Sequence, residues 1–134
     1  MEKLNGAYLK NGSSLIETSF VMPSLDGVQS FSINMVDVIS NIRVTENTIE
    51  LIVERRVEFS PKTTQIIVKV KTVLETQSPI SKVQFVEDIR TGLPILNSTF
   101  AKASLAISNI SALSSFGPIV SIPAYNPKQI IIND

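Results

Sequence analysis

Few side chains in this sequence have the type and spacing that chemistry requires. Glu87-Asp88 is the only adjacent acidic pair, and on a strand such neighbours point to opposite faces, so they cannot serve one substrate atom as acid and base. Thr99-x-x-Lys102 sets a hydroxyl near an amine, yet no further group completes a nucleophile and its base. Helix capping by Ser98 or Thr99 is the expected role. The glycines form neither a G-x-G-x-x-G nor a P-loop. Without histidine or cysteine there is no imidazole base, thiolate nucleophile, disulfide or zinc site built from those ligands. No catalytic residue, metal site or cofactor is therefore assigned, and the expectation is a protein that is not an enzyme.

Two features suit recognition better than reaction. Arg55 stands among Leu51, Val53, Val57 and Phe59 on an otherwise apolar strand face, where a charge must be paired or must reach the rim. It lies either at the edge of a helix footprint or in a pair at a subunit contact. The second feature is Phe116, Ile119, Ile122 and Tyr125, interleaved with Gly117, Pro118 and Pro123. An apolar loop of this kind either packs on the sheet as core or lines an adaptable groove; these four are the candidate peptide-binding residues.

The elements that must position them follow from pattern. The chain has 134 residues, 12 basic against 12 acidic side chains and 43% apolar residues, which fits one domain over 1–134. Zero net charge without a basic cluster argues against nucleic acid and anionic membranes as partners. The start, Met1 to Gly6, lacks a signal-peptide core, and no run approaches the ~18 apolar residues of a membrane span. A soluble, cytoplasmic protein is expected, with no membrane insertion.

Residues 1–30 read as an irregular or edge-strand segment. Phe31, Ile33 and Met35 alternate with polar residues before Val36 and Val38 shift the phase, which predicts a strand with a bulge near Met35-Val36. Ile49, Leu51, Val53, Val57 and Phe59 share one strand face, and Glu50, Glu54, Arg56 and Glu58 the other. Ser60-Pro61-Lys62-Thr63 is a turn; Ile66, Val68, Val70 and Leu74 then face inward opposite Lys69 and Lys71. Val83, Phe85 and Ile89 read as a fourth strand. After it the period becomes 3.6, with Asn97 or Ser98 as cap, an inward stripe of Phe100, Ala103, Ile107, Ile110 and Leu113 or Ser114, and Gly117-Pro118 as the stop. In the tail, 127–134, Ile130-Ile131-Ile132 favours an extended strand that can pair with a sheet edge. The fold class is α+β: a four-stranded antiparallel sheet followed by one long helix packed on it. Ile52, Ile67 and Val73 on the opposite face suggest a second layer from another copy, hence a homo-oligomer, dimer or tetramer.

The run from Phe100 to Ile110 leads into Phe116-Gly117-Pro118-Ile119-Val120-Ser121-Ile122-Pro123-Ala124-Tyr125-Asn126. Together with the strand order, covering roughly 31–126, this resembles the SecB family of protein-export chaperones. There, four antiparallel strands precede a long helix that ends in a proline-containing apolar loop. The resemblance implies a non-enzymatic chaperone or holdase for unfolded or extended apolar polypeptide, working as a dimer of dimers. It also allows a dedicated partner-binding module of the same fold, as in toxin–antitoxin or defence systems. Typical export members are strongly acidic and carry a second carboxy-terminal helix and tail for docking on the secretion motor. This chain is neutral and runs only to Asp134.

Overall fold

The structure is a computed structural model that describes residues 8–20, 32–60, 65–113 and 117–133; the turn expected at 60–63 falls largely outside them. Among the described residues five strands form the sheet, in the order β1-β4-β3-β2-β5: β1 Tyr8–Phe20, β2 Ser32–Thr45, β3 Thr48–Ser60, β4 Gln65–Thr76 and β5 Ile131–Ile132. The first four pair antiparallel, whereas β5 runs parallel to β2 beside Val38 and Ile39. The expected four-stranded antiparallel sheet is thus larger and mixed. Tyr8–Phe20 supplies the edge strand, and the isoleucine tail supplies the other.

No strand forms around Val83, Phe85 and Ile89. Lys82–Arg90 is a helix, α1, with Phe85 and Ile89 one turn apart on its buried face. Ser81 accepts from the Gln84 amide at 3.1 Å, so Ser81-x-x-Gln84 has the composition of a capping box. The exit is a Schellman turn: Leu93 N–H donates to the Asp88 carbonyl at 3.1 Å and Gly92 N–H to Ile89 at 3.1 Å, with Gly92 at φ +87°. Glu87 and Asp88 are consequently helical neighbours, not strand neighbours.

A 3-10 turn at Pro94–Leu96 leads into α2, Asn97–Ser111. Its N-cap is Leu96 and carries no side-chain cap, contrary to the role expected of Asn97 or Ser98. Thr99 points inward instead, 3.1 Å from the Thr72 hydroxyl on β4. Phe100, Ala103 and Ile107 are buried as the stripe requires, Ile110 is half-buried, and Leu113 turns out to solvent because the helix has already ended.

Strand β2 departs from the expected register for a physical reason. Its bulge lies between Ser40 and Arg43, where Asn41 adopts φ +54°, not at Met35-Val36. The inward phase runs Met35, Asp37, Ile39 opposite Val57, Arg55 and Val53. Val36 and Val38 lie on the other face, with Ile52, Ile67 and Val73, all half-buried. On that face Lys69 lies 3.9 Å from Glu54 and 3.5 Å from Glu17, directly opposite both in register, cross-strand pairs worth ~0.2–1 kcal/mol each.

Two apolar clusters fill the space between sheet and helices. One joins Ile39, Ile49, Leu51, Val53 and Leu74 to Phe85, Ile89, Leu96, Phe100 and Ile130; the other joins Val57, Phe59, Ile66, Val68 and Val70 to Ala103 and Ile107. Along β3 the residue between them is Arg55, and along β4 it is Thr72. The core is therefore crossed by a polar seam.

Candidate partner-binding surface

Arg55 is the centre of that seam. Its side chain is 1% exposed, and it is paired within its own chain: Nε and Nη2 hold the Asp37 carboxylate in a fork at 2.7 and 2.9 Å. This pairing differs from both sequence readings, the rim and the subunit contact. Asp37 faces Arg55 because the two are opposite in the β2–β3 register. The guanidinium also lies 4.9 Å from the centre of the Phe100 ring.

The remaining donors hold the chain that follows α2. Nη1 donates to the Ser104 hydroxyl at 2.9 Å, to Ser121 at 3.4 Å and to the Ile122 carbonyl, while Nη2 donates to the Ala124 carbonyl at 2.6 Å. The Ser104 and Ser121 hydroxyls lie 2.7 Å apart. Upstream, Ser111 at the end of α2 accepts from the Ile119 amide at 2.6 Å, and Gly117 takes φ +84° to start the reversal. Downstream, Tyr125 packs its ring 5.3 Å from that of Phe100 and donates to the Leu93 carbonyl at 2.7 Å. The loop is tethered at Ile119, Ser121, Ile122, Ala124 and Tyr125 by buried or half-buried polar contacts.

That tethering separates the four candidate residues. Tyr125 turns inward, and burial, with Asp88 nearby, pushes its phenol up to about 12. Ile119 is half-buried against the cluster around Ile107. Ile122 turns outward and is 72% exposed, beside Val120 at 86%. Phe116 lies outside the described residues. Val120 was missed by sequence reasoning; its place between Ile119 and Ser121, one inward and one buried, is the alternation that marks it.

A second apolar surface lies on the opposite side of α2. Leu15 and Thr18 of β1 and Lys102, Leu105, Ala106, Asn109 and Ile110 of α2 line a groove of about 430 Å³. Leu15 and Leu105 are both more than half exposed. Beside it, β1 is the outermost strand on this side of the sheet. At the far end of β1, Tyr8 donates to Asp88 at 2.7 Å; its phenol is raised far above the usual range, by burial first and by that carboxylate second. Among the described residues no cluster of acidic side chains could hold a metal ion, and no helix is long and apolar enough to cross a membrane.

A mixed sheet with one long helix laid across it is a fold that this chain shares with a SecB-like chaperone. The SecB-like chaperone Rv1957 of Mycobacterium tuberculosis, solved in complex with a ChAD peptide from the antitoxin HigA1, matches with a TM-score of 0.59 over 83% of this chain and 86% of that one. Sequence identity is 5%, so the likeness is one of fold. No protein-family model matches the chain, and no curated protein sequence matches it.

Proposed function

We propose that this protein is a SecB-like, non-enzymatic binding protein that holds extended apolar segments of a protein client. The observation that carries the reading is the outward pair Val120 and Ile122, 86% and 72% exposed, on a loop whose backbone is held by a buried guanidinium. Apolar side chains kept in water on a fixed backbone offer burial to a partner without a large ordering cost. The SecB-like fold supports the same reading. In this proposal Ile119, Ile122, Tyr125 and Phe116 belong to the client surface, with Ile122 in contact and Ile119 and Tyr125 supporting it from below. The whole chain forms one domain, acting in the cytoplasm.

The groove between β1 and α2 is assigned to contact between copies. Its mouth carries Leu15 and Leu105 beside β1, the outermost strand on that side among the described residues, a combination that one further strand and helix of the same kind would cover. A dimer, or a dimer of dimers, is expected by light scattering at tens of micromolar, and Leu105→Lys should shift it toward monomer. A client specific to one protein is the second reading, favoured by the antitoxin peptide on the similar structure.

The test is suppression of aggregation across a panel of unrelated unfolded proteins, with Ile122→Ser measured beside the parent. Slowed aggregation of several, weakened by Ile122→Ser at unchanged melting temperature, supports a general holdase. Action on a single protein supports the dedicated module. If nothing is held at several-fold excess, the binding reading is wrong.

A further inference from the structure

The tail occupies the outer edge of β2 by a shallow contact. Among the described residues of the tail only Ile131 and Ile132 pair with it, beside Val38 and Ile39, and one further bond runs from Asn133 N–H to the Ile39 carbonyl at 2.8 Å. Strands usually have about five or six residues, and parallel pairing is slightly weaker per residue than antiparallel. The root of the tail is different. Ile130 is buried in the core beside Ile39 and Phe85, and its carbonyl accepts from Arg90 at 2.6 Å. A fixed root therefore carries a short strand that can leave with Ile130 still in the core, giving up the packing of the half-buried Ile132.

We propose that residues 131–133 are an internal occupant of a strand-addition site on β2, and that an extended client segment binds there by displacing them. This rests on the reading that the protein holds extended apolar segments, and it adds where one such segment sits and what regulates entry. The tail itself defines the chemistry the edge accepts. Its backbone is extended and parallel to β2, one branched aliphatic side chain packs against the core at Ile132, and the next stays at the surface at Ile131. The partner is thus an extended peptide with consecutive branched aliphatic residues and no charge at those positions. Backbone bonds to Val38 and Ile39 would supply affinity, and the inward side chain selectivity. The site lies next to the pinned loop, since Asn126, Gln129 and Ile130 border Met35, Val36 and Asp37 and Asp37 shares Arg55 with Ile122.

The experiment uses the full chain and a fluorescent synthetic peptide copying residues 127–134 as probe. Val38→Cys/Ile131→Cys introduces the only two thiols, at positions opposite in register, so oxidation locks the tail and reduction frees it. Asn133→Pro removes the Asn133 donor at an exposed position. The oxidised protein, its site held closed, should lose binding of the probe, whereas the reduced protein should bind it on the order of tenfold more weakly than a fully open site, the factor for a site that is self-occupied about nine-tenths of the time. Asn133→Pro should bind more tightly than the parent, with the same melting temperature. An unfolded client protein should show the same ranking. Equal binding by oxidised and reduced forms overturns the inference, and the holdase reading survives if both forms still slow aggregation. If neither form binds probe or client, both readings fall.

Discussion

Replacing Arg55 by methionine removes a guanidinium that is 1% exposed and keeps an aliphatic stem of similar length. What remains is the Asp37 carboxylate, whose side chain is 13% exposed and whose two oxygens had been held at 2.7 and 2.9 Å. Breaking a buried ion pair from one side costs about 3–5 kcal/mol, because the other charge is left in poor solvent. The Ile122 and Ala124 carbonyls also lose their donor, but they lie on a loop that can turn them to water, so their ~1–3 kcal/mol penalties are largely relieved. Ser104 and Ser121 keep each other at 2.7 Å. The expected total is therefore about 3–5 kcal/mol, a large share of the ~5–15 kcal/mol that holds an ordinary domain. Removing the stranded charge as well, in Arg55→Met/Asp37→Leu, should return most of that ~3–5 kcal/mol, because replacing a whole buried pair by apolar side chains is often neutral or stabilising. Urea unfolding of the parent, both single variants and the double variant gives the coupling energy directly. A cost below about 1 kcal/mol for Arg55→Met, or a double variant no more stable than Arg55→Met alone, would refute the reasoning that the pair is buried and mutually dependent.

Three further outcomes follow from the packing. Ile107→Ala should cost on the order of 2–5 kcal/mol in urea unfolding, because its side chain is wholly buried, whereas Leu105→Ala two residues away should stay within about 0.5 kcal/mol in the monomer. Stability should hold steady in alkali up to about pH 10 and then fall as pH rises toward 12: phenols ionise near 10 when unfolded, but burial holds Tyr125 to about 12 and Tyr8 higher still, so the unfolded state releases its protons first. Tyr8→Phe/Tyr125→Phe should flatten that decline, as followed by circular dichroism across the range. Truncation after Pro127 should lower the melting temperature, since it deletes the buried Ile130 along with β5; an unchanged value would mean the tail contributes nothing to the core.

How far the sequence exposed this arrangement differs from element to element. Strands β3 and β4 were legible because Ile49 to Phe59 and Ile66 to Leu74 carry an apolar residue at every second position but Arg55 and Thr72, and one buried face imposes that pattern. In β2 the alternation is masked by Asp37, a carboxylate on the inward face, and a bulge at Asn41 is invisible to a count of apolar residues. The consequence is specific. Without that extra residue the β2–β3 register shifts by one, and Asp37 would lie on the opposite face from Arg55. Arg55 could thus be recognised as needing a partner, while the partner itself could not be named. Helix α1 was hidden by ambiguity: Val83, Phe85 and Ile89 fit a strand by the first interval and a helix by the second, and the Ser81-x-x-Gln84 cap was the signal that decides. The loop after α2 was legible as apolar and irregular. Which of its side chains point outward depends on Ser104, Ser121 and two backbone carbonyls meeting one guanidinium, and hydrophobic pattern carries no trace of that.

The chain after α2 is attached in two different ways, and the difference bears on what each part can do. From Ile119 to Tyr125 the attachment is made largely by the buried Arg55 guanidinium, so lifting the segment off strands donors of a buried charge and it opens only at high free energy. From Ile131 to Asn133 the attachment is two residues of ladder at a sheet edge, with nothing stranded when it opens, because the freed backbone groups meet water. A local opening should therefore expose the β2 edge long before it disturbs Ile122. Native-state hydrogen exchange reads this ordering without any ligand: the Asn133 amide should exchange by a low-energy local opening, and the Ile119 amide, held by Ser111, by an opening near that of the core. Comparable protection at the two amides would mean that the tail is as firmly set as the loop, and a surface proposed to exchange occupants would lack the mobility that exchange demands.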